Sequence, residues 1–227
     1  LAHWSTNSEL EGTVVMPTGT GKTDTMIACF ASERIERLLV IVPTDNLRAQ
    51  IGDAFSEYGK LHQIGVVSNE ALFPIVGRVG HKFPNIGAAR DFARSCNVVV
   101  ATPPALAASS KSVRKAFLAE FTTLFVDEAH HVVAKTWRQI RDHFSKKRVL
   151  QFTATPYRED KEPIGGRIIY PFPLREAQRL KYFQEINYVS AVSLTRPDEL
   201  VAETAVQQLE KDLDEGFDHL LMARAQF

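Results

Sequence analysis

Four short stretches of the chain are rich in apolar residues, and each stops abruptly. Residues 38–42 (Leu-Leu-Val-Ile-Val) end at Pro43, and residues 97–101 (Asn-Val-Val-Val-Ala) end at Thr102. Residues 123–126 (Thr-Leu-Phe-Val) end at Asp127, and residues 148–152 (Arg-Val-Leu-Gln-Phe) end at Thr153. Side chains along a strand point to opposite faces in turn, so an unbroken apolar run predicts a strand buried on both sides. Between the runs the apolar spacing is helical. Residues 24–32 carry Met26, Ile27 and Phe30, and residues 45–58 carry Leu47, Ile51, Ala54 and Phe55. Residues 105–120, 135–144 and 174–180 read the same way. This alternation specifies a parallel α/β sheet with helices on both faces. Ligands of such sheets bind at the carboxyl ends of the strands, so the residues that end each run are the informative ones.

A fifth run, Thr13-Val14-Val15, leads into Met16-Pro17-Thr18-Gly19-Thr20-Gly21-Lys22-Thr23. A glycine-rich turn between a strand and a helix lets successive backbone N–H groups point inward, and the helix N-terminus adds partial positive charge. The stretch therefore reads as a phosphate-binding loop, with Lys22 reaching the β- and γ-phosphates and the Thr23 hydroxyl on Mg²⁺. Met16 stands where the usual pattern has its first glycine. The plainer reading is a Gly/Thr-rich turn joining a strand to a helix. About 100 residues on, Asp127-Glu128 places two carboxylates at a strand end: in a phosphate-loop NTPase the first holds Mg²⁺ and the second orients the attacking water. Alone, the same pair reads as a helix N-cap and first turn.

Net charge is zero, with 27 basic and 27 acidic residues, so any polyanion must meet local patches rather than a global field. The two cysteines, Cys29 and Cys96, lack metal or disulfide spacing and read as buried thiols. No apolar run approaches the roughly 20 residues that cross a bilayer, and a cytoplasmic protein without a membrane partner is expected. Residues 64–67 read as a further strand. Residues 68–94, broken by prolines and glycines, read as an insertion or mobile loop. Its Arg78, His81, Lys82, Arg90 and Arg94 suit either a solvated surface or contact with a DNA strand. Lys146-Lys147-Arg148 reads as a solvated turn.

Pro17 to Thr23, Val42-Pro43-Thr44 with Leu47 and Gln50, Ala101-Thr102-Pro103, Val126-Asp127-Glu128-Ala129-His130 and Thr153-Ala154-Thr155-Pro156 recur in this order in superfamily 2 helicases. Over residues 13–158 the chain resembles their type III restriction-subunit (Res-like), DEAD/DEAH-box branch. The resemblance implies a RecA-like P-loop NTPase fold and an ATP hydrolase: the first motor domain of a DNA helicase or translocase using ATP and Mg²⁺. It implies that Pro17, Thr18, Gly19, Thr20, Gly21, Lys22 and Thr23 bind nucleotide, with Thr23 and Asp127 on the metal. Lys22, Glu128 and His130 would be catalytic, and Thr153, Ala154 and Thr155 would couple nucleotide state to domain closure together with His130. Thr44, Arg48, Thr102 and Pro103 would contact the nucleic-acid backbone, DNA rather than RNA. Pro43-Thr44 also suits a strand end and helix cap, and His131 a packed or capping histidine.

On this reading residues 1–165 form the ATP-binding domain. Residues 166–227 form a linker and the opening of a second motor domain of a longer chain, with an extended stretch at 183–192, a long helix at 197–215 and a strand at 219–223. An arginine finger and an adenine-contacting glutamine are expected outside this chain. Open alternatives are a motor subunit of a restriction or defence complex with a nuclease or other subunits elsewhere, an RNA helicase, and a nucleotide-binding switch that does not translocate.

Overall fold

The structure, a computed structural model, describes residue 4 and residues 11–68, 70–129, 135–156, 165–183, 195 and 197–217. β1 (Glu11–Val15) leads to α1 (Lys22–Ser32), and β2 (Leu38–Ile41) to α2 (Asp45–Ser56) and the single turn α3 (Lys60–Gln63). β3 (Val76–Arg78) precedes α4 (Ile86–Arg94), and β4 (Val98–Ala101) precedes α5 (Pro103–Ala107) and α6 (Lys111–Ala119). Then come β5 (Thr123–Asp127), α7 (Lys135–His143), β6 (Arg148–Thr153), β7 (Arg167–Pro171) and α8 (Leu174–Arg179). The strands form one seven-stranded sheet in the order β3-β4-β2-β5-β6-β1-β7, and every neighbouring pair is parallel.

The apolar runs do what their composition demands. Along β2 and the residue after it, Leu38, Val40 and Val42 enter one core while Leu39 and Ile41 enter the other. The first core lies under α1, α2 and α3, with Met26, Ile27, Phe30, Ile51, Phe55 and Leu61. The second lies under α4, α6 and α7, with Ala89, Ala93, Val113, Phe117 and Ile140. Phe125 of the central strand is fully buried, its ring centroid 6.2 Å from that of Trp4 and 5.6 Å from that of Phe152. Cys29 and Cys96 are both free and buried, one in each core, and burial pushes the Cys29 thiol up to about 11. Among the described residues no helix is long and apolar enough to cross a membrane.

Several expectations are corrected. Residues 64–67 are a turn closing α3, not a strand: the Ile64 N–H donates to the Lys60 carbonyl (3.0 Å), Gly65 is left-handed (φ +70°), and Ile64 and Val66 face solvent. The edge strand is instead β3, in register with β4 as Val76↔Val98, inside the stretch read as an irregular insertion. That stretch also holds α4, capped by Asn85, whose side chain accepts from the Ala88 N–H (2.9 Å). The single helix expected at 105–120 is two, because the Ser110 hydroxyl accepts from the Val113 N–H and starts α6 afresh.

The chain divides into two compact units, Leu1–Phe183 and Gln184–Phe227. β7 and α8, expected beyond the first domain, fall in the first unit because β7 hydrogen-bonds along β1. In the second unit the long helix is present as α9 (Pro197–Asp214). The expected strand at 219–223 lies outside the described residues, as does most of the extended stretch at 183–192.

Phe125→Ala should lower the stability of the first unit by about 3–5 kcal/mol, the usual cost of deleting a buried ring, read from the urea midpoint at unchanged slope.

Candidate functional site

β1 delivers the chain to the loop 16–21 with its entry already fixed. The Met16 N–H donates to the Thr153 carbonyl at the end of β6 (2.9 Å). Both the N–H (3.3 Å) and the hydroxyl (2.7 Å) of Thr20 donate to the Pro17 carbonyl, closing the loop on itself. Gly19 (φ +83°) and Gly21 (φ +92°) occupy left-handed conformations that strain other residues. Met16 needs no such freedom. It sits at the strand end with its side chain in the first core, 3.7 Å from the Thr25 hydroxyl, so the departure from the usual motif falls where a core residue is wanted.

α1, like α3 and α8, starts without a side-chain cap. Side chains of Thr44, Asn85, Thr102 and Ser110 cap α2, α4, α5 and α6, whereas α1 begins at Gly21 with no side-chain cap. Its first N–H groups have no intrahelical acceptor, which suits an anion.

The acids lie across an intervening strand. Asp127 is the last residue of β5 and Lys22 follows the loop after β1, with β6 between them. Glu128 takes a left-handed backbone (φ +49°), and its Oε1 accepts from Lys22 Nζ at 2.5 Å, both side chains being mostly buried. Asp127 is 5% exposed, and its Oδ1 is buried with no hydrogen-bond partner. Burial pushes the Asp127 carboxyl up to about 6, and the Glu128 charge adds to this. Lys22 and a backbone hydrogen bond involving Glu128 pull the other way. A buried carboxylate oxygen lacking a donor fits a hard cation such as Mg²⁺, which binds through one or two carboxylates and takes its other ligands from phosphate and water. Thr23, half-buried in the first turn of α1, directly follows Lys22. Among the described residues no cluster of three or more His, Cys, Asp or Glu side chains forms a self-sufficient metal cage.

Thr18, Pro43, Thr44, Leu47, Glu128, Ala154 and Thr155 line one cleft of about 550 Å³. It thus joins residues expected from four separate motifs. Behind it, the Thr153 hydroxyl donates to the Thr155 carbonyl (2.7 Å) and accepts from the Thr155 N–H (3.2 Å), which folds the segment after β6 into a tight turn. Arg48, Thr102 and Pro103 lie outside this lining. Arg48 Nη1 donates to Asp45 (2.7 Å) and to the Val79 carbonyl (2.9 Å). Thr102 is buried as the cap of α5, and Pro103 is that helix's first residue. His130 and His131 lie outside the described residues.

The basic side chains are more committed than their spacing suggests. Arg78 pairs with Asp53, and Arg90 (3.4 Å) and Arg94 (2.8 Å) converge with Arg37 (3.6 Å) on Glu120. Lys147 donates to the Phe121 carbonyl (2.7 Å), while Arg148 pairs with Glu33 and covers the Trp4 ring, so of the expected solvated turn only Lys146 is exposed. Sequence reasoning passed over Phe183. Its ring lies 3.6 Å from where a Cβ on Gly19 would stand, and nothing local marks an aromatic so far along the chain.

A family model described as the type III restriction enzyme, res subunit, matches residues 1–158. The chain belongs to this family. A nuclease-deletion mutant of the Type ISP restriction-modification enzyme LlaGI, solved in complex with a DNA substrate mimic, shares the fold with a TM-score of 0.56. It is 16% identical, and the match covers 95% of this chain and 21% of that one. The UvsW helicase from bacteriophage T4 (TM-score 0.49, 19% identity) matches over 72% of this chain and 55% of its own. The Hef helicase domain of Pyrococcus furiosus (TM-score 0.47, 21% identity) matches over 89% and 38%. This res-subunit chain therefore spans about a fifth of the LlaGI chain and about half of UvsW. No curated protein matches it in sequence.

The raised Asp127 carboxyl sets a pH dependence. Unfolded, the group ionises near its ordinary value of 3.8; folded, it holds its proton to about 6. The cost of burying its charge is absent below about pH 4 and complete above about pH 6. Asp127→Asn should therefore stabilise the unliganded chain at pH 8 by about 1–3 kcal/mol, a gain that denaturant melts should show vanishing as the pH is lowered to 4.

Proposed function

We propose that this chain is the nucleotide-binding domain of an ATP-driven nucleic-acid motor, acting on DNA rather than RNA. The observation that carries the reading is the Lys22–Glu128 ion pair, which joins a loop built for phosphate to a carboxylate two strands away. The uncapped start of α1 and the N–H groups of Gly19 and Gly21 receive the phosphates, with Pro17 and Thr18 shaping the loop entry and Thr20 closing the loop on the Pro17 carbonyl. Lys22 leaves Glu128 for the β- and γ-phosphates. Thr23 and Asp127 hold Mg²⁺, which when bound offsets the charge of the transferring phosphoryl group. Glu128, freed of its partner, orients and polarises the attacking water.

The turn Thr153-Ala154-Thr155 serves as the coupling element. Its carbonyl at Thr153 is bonded to the loop entry at Met16, and Ala154 and Thr155 line the same cleft as Glu128. His130, beyond the described residues, is assigned the same role. Thr44 and Thr102 act on nucleic acid through their hydroxyl protons, which the caps leave able to donate because they use the oxygens only as acceptors, with Pro103 presetting the first turn of α5. Arg48 contributes its remaining N–H groups. A second motor domain, begun within residues 166–227 of a longer chain, supplies the arginine finger and closes the cleft. Support for DNA comes from the restriction family itself and from the DNA substrate mimic bound by LlaGI. The same family match favours one further reading, a motor subunit of a restriction or defence complex whose nuclease lies elsewhere.

Titrating a fluorescent ATP analogue with Mg²⁺ tests the core of this reading: the chain should bind it and Lys22→Ala should not. Retained binding by Lys22→Ala would refute it. Glu128→Gln should bind the analogue about fivefold more tightly, equivalent to about 1 kcal/mol, because Lys22 no longer has to leave a carboxylate. In the two-domain protein the same variant should hydrolyse ATP at least ~10²-fold more slowly, as expected for loss of a general base. ATPase stimulation by RNA alone would overturn the preference for DNA.

A further inference from the structure

The chain returns to the phosphate loop after β7. The Phe172 N–H donates to the carbonyl of Val15, the last residue of β1 (2.7 Å). α8 then ends with Lys181 in a left-handed conformation (φ +60°), a place usually given to glycine. The Lys181 N–H donates to the Gln178 carbonyl and the Tyr182 N–H to the Ala177 carbonyl, both at 2.9 Å. A non-glycine residue held this way is strained and persists only where its surroundings require it. The cap delivers Phe183 over the crest of the loop, its ring 3.6 Å from the point where a Cβ on Gly19 would stand.

Other rings stand on the segment that leads to it. Phe172 is buried, with Tyr170 stacked on it (6.4 Å, 19°) and Tyr182 meeting it edge-on (5.7 Å). Packing explains Phe172, but Tyr170 and Tyr182 keep 50% and 54% of their surface exposed. A partly exposed ring set against a phosphate cradle, as Phe183 is, has the chemistry of a nucleobase site: a flat apolar face, next to the place where the charged end of a nucleotide is held.

We propose that Phe183, flanked by Tyr182, is the platform on which the base of the bound nucleotide stacks. The inference rests on the reading of residues 16–23 as a phosphate loop and adds a base site to it. A nucleoside whose phosphates lie in the loop must leave along its rim, and the ring on Gly19 forms that rim. Because every base has a π-face, stacking of this kind is tolerant of base identity. The platform therefore favours purine nucleotides over bare polyphosphate without choosing between adenine and guanine.

The test is calorimetric titration of this chain and two variants with Mg-ATP, Mg-GTP and tripolyphosphate. The unaltered chain should bind ATP and GTP about tenfold more tightly than tripolyphosphate, within the range of base–aromatic stacking. Phe183→Ala should lose about that factor for both nucleotides and leave tripolyphosphate unchanged, while Phe183→Trp should restore it. The Phe183→Trp emission should also be quenched by ATP and not by tripolyphosphate. An equal loss for tripolyphosphate would mean that the ring only shapes the loop, and no loss at all would mean that it serves another partner; either overturns the platform. Equal binding of ATP and tripolyphosphate by the unaltered chain removes the platform alone. Failure to bind either removes the phosphate-loop reading and the platform with it.

Discussion

Burial of the strands on both faces is the constraint from which the rest follows. A strand covered by helices above and below has no solvent side on which to carry a charge, so chemistry is confined to its ends. β1, β5 and β6 lie side by side in the sheet order and end together. The loop, the acid pair and the Thr153 turn are therefore brought into one place by topology, although well over a hundred residues separate the first from the last.

Stability is given up at this place. Asp127 carries a charge that its surroundings resist, Glu128 holds a backbone conformation that favours glycine, and α1 begins without a side-chain cap. Each departs from what folding alone would select, and together they surround the point where a phosphate and a cation would supply the missing partners. Outside the site the polar groups are orderly. Glu120 gathers three arginines, and Thr44, Asn85, Thr102 and Ser110 close their helices.

Legibility in the sequence tracks burial. β2, β4, β5 and β6 were readable because both faces are covered, which forces every residue to be apolar or nearly so. β3 and β7 were not, since they are sheet edges: β3 has three residues, and β7 is mostly exposed. The opposite error occurred at 64–67, where an apolar run lies on the surface after a single turn of helix. Within the site, the loop, the acids and the cap at Thr44 were legible from residue type and spacing, but the partners of Arg48 and of the Thr102 hydroxyl were not. A motif names a residue without saying what already holds it, and here helix caps and the Val79 carbonyl do. Phe183 was invisible for a related reason: its neighbour Gly19 is adjacent only because β7 lies alongside β1.

The alternation along β2 separates what the sequence joins. Leu38 and Leu39 are covalent neighbours, yet the sheet itself stands between their side chains, and each belongs to a different core. Residues that share no packing partners lose stability independently. The two cores can therefore drift apart over evolutionary time, each repacking against its own helices, while the backbone between them and the strand ends it positions stay in register.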